Sequence, residues 1–141
     1  MLVKDVMQRN VVVAEENVKI KEAANIMGKY HIGSIVIMKK DKVVGILTER
    51  NILNAVAEGM DLALTEAKDI MTKKVITISP TDAIDDATKI MVDNKIKKLP
   101  VVDGEKLVGI ITASDIAVIQ PKLIENLARL LAVKIPMYKG G

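Results

Sequence analysis

Two short stretches of this chain carry residue types at a spacing that could do chemistry: Gly45-Ile46-Leu47-Thr48-Glu49-Arg50-Asn51 and Gly109-Ile110-Ile111-Thr112-Ala113-Ser114-Asp115. Each reads Gly, two apolar residues, Thr, two further residues, then Asn or Asp, where a β-rich apolar run gives way to a helical one. Thr followed three residues later by Asn or Asp is what a helix N-cap with a capping-box partner looks like. The same spacing suits a ligand carrying phosphate and ribose. A helix start offers free backbone N–H groups and the positive end of a dipole. The Thr hydroxyl can donate to a phosphate oxygen, and a carboxylate one turn on can accept from two neighbouring ribose hydroxyls. The glycine lets the backbone run close by. Spacing alone leaves the cap and the ligand site both open.

The elements that must position these motifs are themselves written twice. Lys4-Asp5-Val6-Met7 returns as Lys68-Asp69-Ile70-Met71, and the correspondence runs without a gap from Lys4 to Ile52 at an offset of about 64 residues. Each copy reads strand, helix, strand, strand, helix, an α+β plan. In the first copy Val11 to Val13 is a short strand, and Asn17 stands as the N-cap of a helix with Ile20, Ala23, Ala24, Met27 and Tyr30 on its apolar stripe. Gly33 breaks that helix. Ser34 to Met38 and Val43 to Leu47 form a hairpin about a polar turn, and a helix then runs from Glu49 towards Glu58 with Gly59 as its stop. In the second copy Val75 to Ile78 is the strand, Ser79-Pro80-Thr81 the turn, and Ile84, Ala87, Ile90 and Met91 the helical stripe. Leu99 to Val102 and Lys106 to Ile111 form the hairpin about Asp103-Gly104, and the closing helix begins at Ser114. Three segments result: copies at 1–62 and 63–120, and a C-terminal helix and tail at 121–141. In the last, Leu123, Ile124, Leu127, Leu130 and Leu131 form an apolar stripe.

Composition excludes several function classes. Half of the 141 residues are hydrophobic, enough for a core, yet Phe and Trp are absent and Tyr occurs twice. An aliphatic interior follows, and an aromatic platform for single-stranded nucleic acid does not. The net charge of +3 comes from lysines interleaved with acids. Zero cysteines and a single histidine, His31, rule out thiolate metal sites, a histidine zinc cluster and a Ser-His-Asp triad. No apolar run of about 18 residues suggests a membrane span, and no leader is recognised. A cytoplasmic, non-enzymatic protein with no metal or resident cofactor is expected, with nucleic acid an unlikely partner.

The doubled plan, the Lys-Asp-Val/Ile-Met openings, the Leu99-Pro100-Val101-Val102-Asp103 strand and both Gly-x-x-Thr-x-x-Asn/Asp motifs resemble a tandem pair of CBS domains, a Bateman module. The resemblance spans Lys4 to about Ile119. It implies two repeats packed through their sheets about a pseudo-twofold axis. Two clefts between them would bind AMP, ADP, ATP or S-adenosylmethionine, and the module would regulate an effector protein, commonly as a homodimer. Carried over residue by residue, the stronger site centres on Asp115 at the ribose, with Thr112 and Ser114 beside it. The adenine is held by Val12, Val13 and Ala14 and by Ile32, Gly33 and Ser34, and the phosphate by Lys97 and Lys98. The weaker site takes Thr48, Arg50 and Asn51, with Thr77, Ile78, Ser79, Pro80 and Leu99 from the other copy; there Asn51 replaces a carboxylate.

The expectation is a stand-alone regulatory module that senses adenine nucleotides and signals by a conformational change. An S-adenosylmethionine-type sensor, a basic nucleic-acid-associated protein and a purely structural dimerisation module are the alternatives.

Overall fold

The structure, a computed structural model, describes residues 1–120. The apolar stripe from Leu123 to Leu131 therefore lies outside the described residues. The elements run α1 (Val3–Val6), β1 (Val13–Glu15), α2 (Ile20–Tyr30), β2 (Ser34–Lys39), β3 (Lys42–Thr48), α3 (Glu49–Ala57), α4 (Ala67–Ile70), α5 (Ile84–Asn94), β4 (Lys98–Asp103), β5 (Lys106–Thr112) and α6 (Ala113–Ile119). This is the α+β plan of two repeats read from the sequence.

In the first copy β1 pairs parallel with β2, and β2 antiparallel with β3. The second copy keeps the β4–β5 hairpin in the same register, but the strand expected at Val75 to Ile78 shrinks to one parallel bridge, Ile78 to Val101. Proline explains the loss. Ile78 N–H donates to the Pro100 carbonyl (3.1 Å) and Val102 N–H to the Ile78 carbonyl (2.9 Å). The next rung on one side would need an N–H from Pro100, and on the other from Pro80, and neither has one. In the first copy Glu16 stands at the position of Pro80, and its N–H does extend the ladder to Met38 (3.1 Å).

Helix α2 begins after Lys19 rather than at Asn17, without a side-chain cap. The segment joining the copies takes over that task. Ile20 N–H donates to the Thr65 carbonyl (2.9 Å) and Lys21 N–H to the Leu62 carbonyl (3.0 Å), so the first orphan donors of the helix are satisfied by backbone. Helices α3 and α6 are capped from the side chain, as their motifs suggest. Asn51 N–H donates to Thr48 Oγ1 (3.2 Å), while Thr48 N–H donates back to Asn51 Oδ1 (2.9 Å). Asp115 N–H donates to Thr112 Oγ1 (3.1 Å), and Thr112 N–H to Asp115 Oδ2 (3.2 Å).

Each copy has its own aliphatic core, and each core borrows from the other copy. Val3 and Met7, with Val6, pack among Ile84, Ala87, Met91, Leu99, Ile111 and Ile116 of the second copy. Ala67, with Ile70 and Met71, packs among Ile20, Ala23, Ile35, Ile37 and Leu47 of the first. Backbone bonds fasten both exchanges: Val3 N–H to Asp82 O (2.8 Å), Lys4 N–H to Pro80 O (2.9 Å), Ala67 N–H to Val18 O (2.8 Å) and Lys68 N–H to Glu16 O (2.9 Å). The short helices opening each copy are thus traded across the pseudo-dyad.

The motif glycines belong to this exchange. A Cβ on Gly45 would overlap the thioether of Met71, and one on Gly109 would stand 2.7 Å from Met7 Sδ and 2.8 Å from the Gln8 carbonyl. The close approach that the sequence suggested for a ligand is taken by methionine.

Gly109→Ala should cost about 1–3 kcal/mol of stability. It should cost more than Gly45→Ala, because a backbone carbonyl cannot swing aside as a thioether can; urea titrations of both variants check the order. In the same assay Thr48→Ala and Thr112→Ala should each lose about 1 kcal/mol through the lost cap, with an unchanged slope against denaturant.

Candidate functional site

Because the copies pack about a dyad, the space between them forms two clefts built from equivalent positions. The first, of about 190 Å³, is lined by Gln8, Asn10, Val11, Val12, His31, Ile32, Gly33, Ser34, Val36, Lys98, Ile110 and Thr112. The second, of about 790 Å³, is lined by Ile46, Thr48, Glu49, Arg50, Thr72, Lys74, Val75, Ile76 and Lys95 to Lys98, with Gly33 and Ser34. Most of the second set are the first set moved by one repeat: Gln8 answers to Thr72, Asn10 to Lys74, His31 to Lys95, Thr112 to Thr48. The clefts meet at the dyad, where Lys98 Nζ donates to Ser34 Oγ (3.3 Å), two residues at equivalent positions of the two copies.

In the smaller cleft Asp115 stands behind Thr112. Beyond its capping role, its carboxylate accepts from Gln8 Nε2 at both oxygens, 3.1 Å each. Gln8 comes from the exchanged N-terminal segment and is fixed by paired backbone bonds with Ile110, 2.8 and 2.9 Å. Val12, Ile32, Gly33 and Ser34 line this cleft as anticipated. Val13 and Ala14 do not. Val13 faces a separate cavity near the hairpin tips, with Arg9 and Lys106, while Ala14 packs on the core of the first copy. Strand alternation turns neighbouring side chains to different faces. Ser114 is exposed at the first turn of α6.

Lys97 does not join Asp115. Its carbonyl accepts from Ala113 N–H (2.8 Å), and its side chain lines the larger cleft beside Thr48. Lys98 borders both. The grouping with the Asp115 cleft holds for Lys98 and fails for Lys97, because each cleft takes the start of the hairpin from one copy and the helix start from the other. Lys97 therefore lines the cleft of Thr48 and Arg50.

In the larger cleft Thr48, Arg50 and Lys98 meet, and Asn51 lies behind Thr48, whose hydroxyl it engages (2.9 Å). The residues expected from the other copy lie too far along the chain. Ile78 and Leu99 are buried in the second core. Pro80 is buried and accepts from Lys4. The Ser79 N–H is spent on Asp82 Oδ2 (3.1 Å), and Thr77 is exposed. Lys74, Val75 and Ile76 line the cleft instead.

Gln8, Asn10, Lys74 and Lys95 were missed by reasoning from the motifs, although the constant offset carries a signal for them. Most residues whose equivalents line one cleft line the other. Among the described residues, no cluster of three or more His, Cys, Asp or Glu side chains could hold a metal, and no helix is long and apolar enough to cross a membrane.

Comparison with known proteins agrees with this architecture. Residues 3–58 and 67–121 each match the CBS domain. A CBS domain-containing protein of Bacillus subtilis is 34% identical over 119 residues, covering 84% of this chain and 84% of that one. An uncharacterised protein of Methanopyrus kandleri is 37% identical over 128 residues, covering 89% of this chain; the match spans 65% of that protein's length. Among solved structures, a CBS domain pair in complex with 5′-methylthioadenosine and S-adenosyl-L-methionine superposes with a TM-score of 0.78 at 33% identity. That match covers 86% of this chain and 97% of the other. Two copies of one fold, exchanged helices, paired clefts and these similarities lead to one conclusion: the chain belongs to the CBS domain family, as a tandem pair.

Proposed function

We propose that this CBS pair is a regulatory sensor of adenosine ligands, adenine nucleotides (AMP, also ADP and ATP) foremost, held in the clefts between its repeats. The observation that carries the reading is the Asp115 carboxylate, whose two oxygens share a bifurcated hydrogen bond from Gln8 Nε2 and so both accept from the cleft side. Two adjacent ribose hydroxyls could each reach one of these oxygens in place of that amide, and a charged acceptor strengthens such bonds. Val11, Val12, Ile32, Val36 and Ile110 supply an apolar wall suited to a purine. An S-adenosylmethionine-type ligand is the second reading, favoured by the solved relative that holds two adenosyl compounds.

Because the cleft walls come from both copies, an occupant shifts the relative orientation of the repeats, and an effector protein reads the change. Pairing with a second copy is supported by an apolar groove of about 460 Å³ between α2 and α3, where Leu53 and Val56 are 66% and 55% exposed.

Thermal shift against AMP, ADP, ATP and S-adenosylmethionine tests the reading. A native-state ligand at 100 times its Kd adds about 2.7 kcal/mol, so the midpoint should climb with concentration for at least one of them. Asp115→Ala should abolish the climb with AMP or S-adenosylmethionine, and Gln8→Ala should retain it. No climb with any ligand, or an unchanged climb with both AMP and S-adenosylmethionine in Asp115→Ala, defeats the proposal.

A further inference from the structure

The two clefts share a scaffold but not a charge. Arg50, Lys74, Lys95, Lys97 and Lys98 all line the larger cleft, against one carboxylate, Glu49. At the equivalent positions of the other copy stand Ser114, Asn10, His31, Gly33 and Ser34. The smaller cleft has Lys98 as its lone lysine, with the Asp115 carboxylate behind its wall. Lysines elsewhere on the molecule do find acids: Lys19 and Lys68 meet Glu66, Lys39 meets Glu16, and Lys42 meets Glu105. Among the described residues, none of the five cleft cations is ion-paired in this way. Like charges gathered in a concave site repel one another and focus a positive potential that an anion relieves. The start of α3 adds its dipole in the same sense. The larger cleft, at about 790 Å³, also has room for an extended anion, whereas the smaller one holds about 190 Å³.

We infer that the clefts divide ligands by charge: the Thr48 cleft takes a polyphosphate group, such as the tail of a nucleoside di- or triphosphate, and the Asp115 cleft takes an adenosyl compound with little or no phosphate. Asn51 fits this division. Its carbonyl is used by Thr48 N–H and hydroxyl, 2.9 Å each, so the cap is completed without placing a negative charge beside the phosphate. An aspartate there would repel the tail. The nucleoside half of the inference rests on the adenosine reading above, while the polyanion half stands on the cleft's charge alone.

The experiment is isothermal titration calorimetry of the full chain with inorganic tripolyphosphate and, separately, with 5′-methylthioadenosine, at about 0.1 M salt where exposed charges are largely screened. Tripolyphosphate should bind the wild type. The Lys95→Gln/Lys97→Gln double variant should bind it at least about tenfold more weakly, while Asp115→Asn binds it unchanged. Lys21→Gln/Lys29→Gln, which removes the same charge from the exposed face of α2, should also leave tripolyphosphate binding unchanged. 5′-Methylthioadenosine should show the reverse pattern, weakened by Asp115→Asn and indifferent to both lysine pairs. Absence of tripolyphosphate binding, or equal weakening by the two lysine pairs, overturns the charge division. Tripolyphosphate behaving as expected while no adenosyl compound binds keeps the polyanion site and removes the adenosine reading.

Discussion

Met7 lying on Gly109 and Met71 lying on Gly45 are the contacts on which the rest of this molecule depends. Each methionine ends a four-residue helix that opens one copy and packs into the core of the other. Such a helix is too short to persist alone, so its order comes from burial and from the backbone bonds that tie it across. Because the trade is reciprocal, it sets the two copies face to face about a dyad and brings each hairpin against its counterpart. A thioether suits the task, since it fills an irregular gap without demanding one geometry. Only a residue without a side chain lets it come so close.

Everything functional is downstream of that arrangement. Face-to-face copies leave two clefts between them, and a dyad makes the clefts equivalent in position. Chemistry then depends on which residues occupy matched places, and here the matched places disagree: carboxylate against amide, glycine and serine against lysines. The capping bonds of Thr48 and Thr112 are common to both sides, and so are the glycines. The cap does not exhaust the Asp115 carboxylate, which accepts from Thr112 N–H and also from Gln8 Nε2.

Much of the fold was legible in the sequence because it was written twice. Periodicity placed α2, α5 and both hairpins, and Gly59 and Gly104 adopt the positive φ values, 75° and 63°, expected of a helix stop and a turn. What escaped has physical reasons. Asn17 has the composition of a cap, but a distant backbone segment satisfied the helix start instead. The strand at Val75 has the right propensity, but it lost its rungs to two prolines, one of them in the neighbouring strand. Near the smaller cleft, Asp115 and Thr112 were readable from spacing as a capping pair, while the Gln8 contact to Asp115 was not, since it depends on the exchange that carries Gln8 across. Assigning Lys97 to the wrong cleft came from the same source: linear order does not reveal which side of a dyad a residue faces.

Lys98 stands where the dyad brings a residue against its own counterpart, bonded to Ser34 and bordering both clefts. A single ammonium group can neutralise one anionic neighbour fully or two partially, but not two fully. Were an anion to draw Lys98 into one cleft, the other would lose its only shared ammonium group. By thermodynamic reciprocity the debt runs equally in both directions. If the clefts take ligands as proposed, the pair would compare two solutes rather than receive them independently, and its point of comparison would be one flexible side chain.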